Sequence, residues 1–508
     1  MHTALRRSVL LRKGAPAAVL ISIAALATIP AYGIAAAPPL SVVNAYYGET
    51  QGTTTLSQLI ATGATSHLTH LTYAFAQGNG ANPCTGAPLL ATAADVTNLR
   101  TAGVKVIISI GGEGSGDAFR AAIASAGSPA NFASSCMNTL ENNFPGTFDG
   151  IDIDWEYPAS GDQATFNNLL VAFRNEINTY ATSKGLSHGW LTAAIGPEDS
   201  QYGWEFIDFN GTQSGTTGSN SSVDFYNVEY YNYAYGTGSP DTQSNAPIGD
   251  INYNIFGSGQ LNSQVPLNQI VMGIPFYGVH YTNVINGTTL GSTGVMDDPN
   301  SGNISAVPPY YYILNKIQSQ PGGFQSCSDN TATDSNYGSF WTWNPSTQDF
   351  WEYDNSLTIT QKVQYAQTNK LGGVFGWNMQ HDTPLASELN SLAATANMTF
   401  SDVTSMAPAY AATGLAYNPF TKRATQTYTI TNHYCNSLTG PFNVVLTGLP
   451  AGVTAVGSSG TFEGNPFWAN SATSLNSGSS LSVTVTLSYT GSPNLSGVAA
   501  YVFSGVLP

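Results

Sequence analysis

Eight short apolar runs recur through the first four-fifths of this 508-residue chain, and helix-compatible segments lie between several of them. Runs of this length predict buried strands, and their alternation with helices predicts a parallel sheet. Eight such units close into a (β/α)8 TIM barrel, an α/β fold whose functional groups gather at the carboxyl ends of the strands. The predicted strands are Val42–Tyr47, His70–Ala76, Val104–Ile110, Gly150–Glu156, Trp190–Ile195, Val223–Tyr231, Ile270–Tyr277 and Gly372–Trp377.

The rest of the chain predicts two further regions after the seventh strand. The seventh and eighth strands are more than ninety residues apart, so a small, aromatic-rich α+β insertion is expected at about 278–353 within a barrel domain over 38–395. Small polar residues predict a linker over 396–410. The alternation of apolar and hydroxyl residues from Leu481 to Tyr489 then predicts an all-β sandwich over 411–508. Within it, Phe467 and Trp468 are interpreted as core or loop-packing residues rather than as a sugar-stacking platform.

The amino terminus has the layout of a secretory signal peptide, with basic residues, an apolar segment from about Ala15 to Ile29, and small residues up to Ala37. We therefore expect residues 1–37 to be removed and the mature protein to be secreted, extracellular and free of the membrane. An uncleaved membrane anchor is the alternative. The chain has 14 basic and 30 acidic side chains, and its formal net charge of −16 argues against a nucleic-acid partner. An uncharged polymer such as a polysaccharide fits this composition better.

The four cysteines are far apart in sequence and include no C-x-x-C pair, which argues against a zinc or redox site. Export permits disulfides. We predict a bridge between Cys84 and Cys136, which lie closest together and within one domain. Cys327 has no assigned partner, and Cys435, in a different domain, is expected to be free.

Residues 149–156 place four acidic side chains within eight positions, alternating with isoleucine. Residues two apart in a strand point to the same face, so Asp152, Asp154 and Glu156 are expected to line one wall of a polar pocket. Like charges this close cannot all ionise, so the row must share protons and at least one carboxyl should stay protonated near neutrality. That is the requirement for a general acid. A calcium-binding loop is disfavoured because isoleucine, rather than glycine or asparagine, separates the acids.

Four motifs, in the order of the predicted strands, resemble glycoside hydrolase family 18. They are Ser109-Ile110-Gly111-Gly112, the pattern D-G-x-D-x-D-W-E-Y-P at Asp149 to Pro158, Gly273 to Gly278, and the strand that ends at Trp377. The resemblance covers about residues 40–395, and the W-E-Y-P form is similar to that of the chitinases. It implies substrate-assisted, retaining hydrolysis of β-1,4-linked N-acetylglucosamine polymers. Chitin or its oligosaccharides are then the expected partners of a monomer that needs no metal or diffusible cofactor.

The resemblance also implies roles for individual residues. Glu156 would protonate the glycosidic oxygen while the acetamide carbonyl of the sugar attacks the anomeric carbon. Asp154 would accept a hydrogen bond from the acetamide N–H, Asp152 would share a proton behind it, and Tyr231 would orient the acetamide oxygen, with Asn232 beside it. Trp377 is the expected floor of the sugar-binding pocket, and Glu229 and Tyr277 are also expected at the binding site. Tyr47 and Phe75 fit either a pocket wall or the core. The residues expected to be structural are Asp149, Ser109, Gly111 and Gly112.

Two positions depart from the family pattern. Glu229 stands where Met or Gln is usual, and Asn232 stands where many relatives have Asp. If Asn232 dominates, the pKa of Glu156 falls and the pH optimum becomes more acidic, whereas an ionised Glu229 would raise that pKa. Glu113 follows the paired glycines where relatives often carry Trp. Binding of the leaving-side sugar is therefore expected to be weaker or to depend on the inserted aromatic residues.

Three activities are compatible with these residues. The leading hypothesis is an endo-acting chitinase. An endo-β-N-acetylglucosaminidase or a muramidase-like hydrolase is the second, because its substrates carry the same acetamide. The third is a non-catalytic chitin-binding lectin on the same barrel, which is disfavoured because such proteins commonly lose the acid and Glu156 is present.

Overall fold

The computed structural model describes residues 40–48, 55–76, 84, 93–212, 217–235, 241–301, 303–320, 323–329, 336–392 and 399–507. The predicted signal peptide lies outside these ranges. Within them, no helix combines the length and the apolar character that crossing a membrane would require.

The predicted strands form a closed parallel barrel, in which each strand pairs with its neighbour in sequence and the last pairs with the first. The first seven strands are β1 (Val42–Gly48), β2 (His70–Ala74), β3 (Lys105–Gly112), β4 (Gly150–Trp155), β5 (Trp190–Ile195), β6 (Phe225–Val228) and β7 (Ile270–Pro275). The helices among them are α1 (Leu56–Ala61), α2 (Ala93–Thr101), α3 (Gly116–Ala126), α4 (Pro129–Asn143), α5 (Gln163–Lys184) and α6 (Ile248–Phe256).

The two faces of β4 separate apolar from acidic side chains, as the alternation predicts. Ile151, Ile153 and Trp155 are buried in the core between the barrel and its helices. The Trp155 ring stacks on Phe119 of α3, with the ring centroids 5.0 Å apart. Asp152 instead points into the barrel, where residues of other strands surround it. This burial on the outer face fixes which side of β4 carries the carboxyl groups.

The insertion is a five-stranded antiparallel sheet with one helix packed against it. Gly278 pairs with Tyr353, so the sheet begins and ends where the sequence predicts the insertion. Its strands are β8 (Gly278–Thr282), β9 (Val295–Met296), β10 (Gln325–Ser328), β11 (Phe340–Asn344) and β12 (Asp349–Tyr353), and its helix is α7 (Tyr310–Gln318). The chain returns to the barrel through α8 (Ser356–Thr368), β13 (Gly373–Trp377), which is the eighth barrel strand, and α9 (Ser387–Leu392).

Two antiparallel sheets and a small two-stranded ribbon form the carboxyl-terminal sandwich. Phe467 and Trp468 are buried in its core, which confirms their interpretation as packing residues. The strands are β14 (Phe400–Asp402), β15 (Ala409–Ala411), β16 (Ala416–Asn418), β17 (Arg423–Thr431), β18 (Leu438–Thr439), β19 (Phe442–Thr447), β20 (Thr454–Ala455), β21 (Gly460–Phe462), β22 (Asn465–Asn470), β23 (Ser474–Leu475), β24 (Ser480–Ser488) and β25 (Ala499–Gly505).

The linker predicted over 396–410 is wrong for the part that the structure describes. Strand β14 pairs with β25 and strand β15 pairs with β17, so the sandwich already begins near residue 400. The carboxylate of Asp402 is buried and accepts hydrogen bonds from the hydroxyls of Ser387 in α9 and Thr404. The small polar residues therefore satisfy one another across the boundary between barrel and sandwich, rather than forming a solvated spacer.

One disulfide prediction is confirmed and one cysteine prediction is wrong. Cys84 and Cys136 are bridged as expected. Cys435 is not free, because it is bonded to Cys327 of β10 and so joins the sandwich to the insertion. These two cysteines are 108 residues apart and meet because β10 runs beside the segment that contains Tyr434.

Candidate active site

Asp152 lies at the centre of a hydrogen-bond network inside the barrel. Its carboxylate accepts hydrogen bonds from the hydroxyls of Thr192 at 2.6 Å, Ser109 at 2.7 Å and Tyr46 at 3.0 Å, and from the amide of Asn227 at 3.4 Å. Burial raises the pKa of Asp152, while these four donors act in the opposite direction. The four donors come from β5, β3, β1 and β6, so the network fixes Asp152 from several strands at once.

Three further carboxyl groups meet at the carboxyl ends of β4 and β6. One oxygen from each of Asp154, Glu156 and Glu229 lies within 4.8 Å of the other two. Burial raises the pKa of Asp154 and of Glu229 well above the usual range, and the charge of Glu156 adds to both shifts. Burial also raises the pKa of Glu156 to about 7, and the negative charge of Glu113 contributes to that shift. Oxygens this close are able to ligate a cation, but protons bound to the same carboxyl groups compete with it.

The backbone that carries Asp154 and Glu156 is fixed by Ser115. The hydroxyl of Ser115 donates to the carbonyl oxygen of Asp154 at 3.0 Å and accepts from the backbone N–H of Glu156 at 3.1 Å. By contrast, Oδ1 of Asp154 is buried and has no hydrogen-bond partner among the described residues. A buried acceptor without a donor is costly, so this oxygen is suited to an N–H group supplied by a ligand.

Tyrosine hydroxyls bond to the polar residues that follow β6. Tyr157 donates to Oε2 of Glu229 at 2.8 Å, and Tyr231 donates to Oε1 of the same carboxyl group at 3.4 Å. The hydroxyl of Tyr277 donates to Oδ1 of Asn232 at 2.5 Å. The residues Tyr157, Glu229, Tyr231 and Asn232 line a cleft of about 380 Å³, which lies within the size range of small-molecule sites.

An aromatic group forms the apolar part of the site. Trp377, at the end of β13, is half-buried, and its ring centroid lies 5.3 Å from that of Tyr46 and 5.8 Å from that of Phe75. Phe75 thus belongs to the pocket side of the barrel, where sequence alone left its position open. Tyr277 is buried, with its hydroxyl committed to Asn232, so it supports the site more than it presents a free face.

Tyr47 is not a wall residue of this pocket. Its side chain is buried in the outer core, its ring centroid lies 5.5 Å from that of Tyr73, and its hydroxyl accepts a hydrogen bond from the backbone N–H of Leu56. The neighbouring Tyr46 faces inward instead and bonds to Asp152. Side chains alternate along β1, and the two adjacent tyrosines therefore point to opposite faces.

The residues expected to be structural surround the acidic strand. Gly111 pairs with Asp154 at a φ of 121°, and a Cβ atom there would lie 1.9 Å from the carbonyl oxygen of Asp154. A Cβ on Gly112 would lie 2.8 Å from the ring of Phe75. Asp149 forms an ion pair with Arg100 at 3.0 Å and accepts the backbone N–H of Val106, so it anchors the start of β4.

Several residues of the site were not predicted from the sequence. Tyr46, Thr192 and Asn227 occupy positions of β1, β5 and β6 whose side chains alternate into the barrel, so strand periodicity is the signal that could identify them. Tyr157 and Ser115 follow strands β4 and β3, where alternation no longer applies and no local pattern gives their contacts. The non-proline cis peptide bonds before Phe75, Tyr157 and Asn378 also lie at the carboxyl ends of barrel strands.

Residues 42–382, which include every barrel strand, match the family model described as glycosyl hydrolases family 18. The chain belongs to this family. It is 30% identical to chitinase 1 of Aphanocladium album over 292 residues, which are 54% of this chain and 61% of that protein. It thus spans less than two thirds of the length of that relative.

Solved structures of the family share the fold. The chitinase of Cycas revoluta in complex with (GlcNAc)3 is 23% identical, with a TM-score of 0.54 over 69% of this chain and 98% of that one. A chitinase-like agglutinin from Robinia pseudoacacia is also 23% identical, with a TM-score of 0.52 over 70% of this chain and 100% of that one. At this level of identity the comparison supports the barrel fold alone.

Proposed function

We propose that this protein is a secreted, endo-acting chitinase, and that Glu156 is its general acid and base. The observation that carries the proposal is the position of Glu156, which is half-buried just after β4 with a carboxyl oxygen within 4.8 Å of oxygens of Asp154 and Glu229. Burial there raises its pKa to about 7. Such a group keeps its proton in mildly acidic solution and loses it within reach of neutral pH, so it is able to donate a proton and take one back. Family membership and the chitinase names of curated relatives support chitin as the substrate.

In the first step, Glu156 donates its proton to the glycosidic oxygen as the bond from that oxygen to the anomeric carbon breaks. The acetamide carbonyl oxygen of the same sugar attacks the anomeric carbon and forms an oxazolinium ion, so no enzyme carboxylate needs to act as nucleophile. The unpartnered Oδ1 of Asp154 accepts the acetamide N–H and offsets the developing positive charge. Tyr231 orients the acetamide oxygen, and Trp377 provides the apolar surface beneath the sugar ring.

In the second step, the Glu156 carboxylate takes a proton from water, and the resulting hydroxide equivalent attacks the anomeric carbon. The oxazolinium ring opens, the acetamide is restored, and Glu156 regains its proton. The anomeric carbon is attacked twice from opposite sides, so its configuration is retained. Asp152 precedes Asp154 on the same face of β4, and its charge adds to the raised pKa of Asp154.

The test is a product profile on N-acetylglucosamine oligomers beside an N-glycopeptide of the same core sugars. We expect internal cleavage of the oligomers with retention of configuration and little cleavage of the glycopeptide. Faster release of the N-glycan would favour an endo-β-N-acetylglucosaminidase. Oligomer binding without turnover would favour the lectin hypothesis and contradict the proposal. Size-exclusion chromatography of secreted protein, with amino-terminal sequencing, tests the expected monomer and signal removal.

A further inference from the structure

A second cleft lies between the insertion and the sandwich, and the described residues that line it are all different from those that line the active-site cleft. Its volume is about 540 Å³, which is typical of sites that hold small molecules. The insertion contributes Gln325, Cys327, Trp341 and Thr288. The sandwich contributes Asn432, His433, Cys435, Ser477 and Gly478.

Covalent and backbone bonds hold the two walls of this cleft together. The Cys327–Cys435 disulfide crosses from one wall to the other. Beside it, the N–H of Ser326 donates to the carbonyl oxygen of His433 at 3.0 Å, and the N–H of Cys435 donates back to the carbonyl oxygen of Ser326 at 2.9 Å. The amide of Asn432 fixes the sandwich wall by donating to two backbone carbonyl oxygens at 2.8 Å. The cleft is therefore preformed, which lowers the entropic cost of binding.

The lining of the cleft suits an uncharged ligand with hydroxyl and amide groups. Among the described residues that line it, none is Asp, Glu, Lys or Arg. Cys327 pairs with Trp341 across β10 and β11, so the indole projects from the same sheet face as the disulfide. Thr288, Gln325 and Ser477 place exposed polar groups around it. Trp341 is only 5% exposed, so its indole forms part of the apolar floor of the cleft. The exposed hydroxyl and amide groups around it are able to bond to a neutral sugar, whereas a phosphate would find no cation among the described lining residues.

His433 adds a specific polar group to the sandwich wall. Its Nε2 is buried and has no hydrogen-bond partner among the described residues. Burial lowers the pKa of His433, so the imidazole is neutral and is able to accept or donate a hydrogen bond.

We propose that this cleft is a second, non-catalytic carbohydrate site that binds a neutral N-acetylhexosamine oligosaccharide. The choice of sugar rests on the proposed chitinase function. A chain bound here would keep a polymer attached to the protein while another segment occupies the barrel.

The test counts binding sites on the full chain in a Glu156→Gln background, which prevents turnover. The probe is the β-1,4-linked tetramer of N-acetylglucosamine, measured by titration calorimetry. Thr288→Arg and Ser477→Arg each place a long side chain at the mouth from opposite walls, and both residues are exposed, so folding is preserved. Ser482→Arg, on an exposed position of β24 outside the cleft, is the matched control.

We expect two tetramers per chain in the parent and in the Ser482→Arg control, and one in each mouth-blocking variant. A single site in the parent, or two sites retained in both Thr288→Arg and Ser477→Arg, would overturn the proposal. A separate assay uses chains that retain Glu156. There the rate at which Thr288→Arg hydrolyses the soluble tetramer should lie within about twofold of the rate of the unsubstituted chain, because the second site holds no reacting group. If the unsubstituted chain does not hydrolyse the tetramer, the proposed chitinase function fails. Failure of the second site is seen instead in the number of bound tetramers, so the two results are distinguishable.

Discussion

Replacing Glu352 with Gln should make the stability of the fold less dependent on pH. Glu352 lies in β12 and is buried, with hydrogen bonds from the Ser244 hydroxyl at 2.8 Å and the Asn245 backbone N–H at 2.9 Å. Burial raises its pKa from 4.5 to about 8, and the charge of Asp354 adds to the shift. Gln keeps the shape, because its amide oxygen accepts from Asn245 and its NH2 group donates to the Ser244 oxygen.

The raised pKa of Glu352 sets the direction in which the free energy of unfolding changes with pH. The folded chain holds the Glu352 proton more tightly than the unfolded chain, so this stabilisation is complete below the unfolded pKa and is lost as the pH rises through the folded pKa. Between about pH 5 and pH 8 one extra proton is bound in the folded state, which corresponds to a slope of about −1.4 kcal/mol per pH unit. From pH 5 to pH 7 the contribution of this one group falls by about 2 to 3 kcal/mol.

Urea unfolding at pH 5, 6 and 7 measures this difference. The parent should lose about 2 to 3 kcal/mol more unfolding free energy than Glu352→Gln over this interval. Glu205→Gln, at an exposed position, is the control and should follow the parent. Equal pH slopes in the parent and in Glu352→Gln would refute the argument from burial.

Two substitutions near the active site test the remaining geometry. Glu229→Gln should leave the upper pH limb of kcat near 7, because burial of Glu156 and the charge of Glu113 raise the pKa that sets this limb. A downward move of a full pH unit in the pH–rate profile would show that Glu229 sets that limb. Gly111→Ala should lower the free energy of unfolding by about 3 kcal/mol or more, since its Cβ would meet the carbonyl oxygen of Asp154. Gly103→Ala, also at positive φ but in open space, is the control and should lower it by only about 1 to 2 kcal/mol. Equal losses in denaturant unfolding would contradict the close-contact argument.

The barrel could be predicted because its strands carry a strong periodic signal. Ile151 and Ile153 alternate with the acids, and reversing that register would bury charge against the helices and place isoleucine among the polar groups inside the barrel. Strand ends were less certain. The sixth strand was predicted to reach Tyr231 but ends at Val228, because the N–H groups of Tyr230 and Tyr231 each bond to a carbonyl two residues earlier and turn the chain. Tertiary geometry sets that turn, and the apolar run does not reveal it.

The site was predictable where a motif encoded it and unpredictable where contacts come from afar. The inward row that begins at Asp152 follows from strand periodicity alone. Periodicity alone does not show whether Tyr46 or Tyr47 points into the barrel. Either of two adjacent tyrosines could face inward until the strand is paired with its neighbours. The partner of Cys435 was missed because the contact between insertion and sandwich joins residues 108 positions apart, which no local pattern records.

The central claim is that Glu156 supplies the proton, and the most direct test compares turnover and binding in Glu156→Gln. The amide keeps the shape of the carboxyl group but has no acidic proton to donate, so hydrolysis of the N-acetylglucosamine tetramer should fall by at least about a thousandfold, while its Kd changes by less than about threefold. Turnover close to that of the parent, in a variant that binds the tetramer normally, would contradict the assignment.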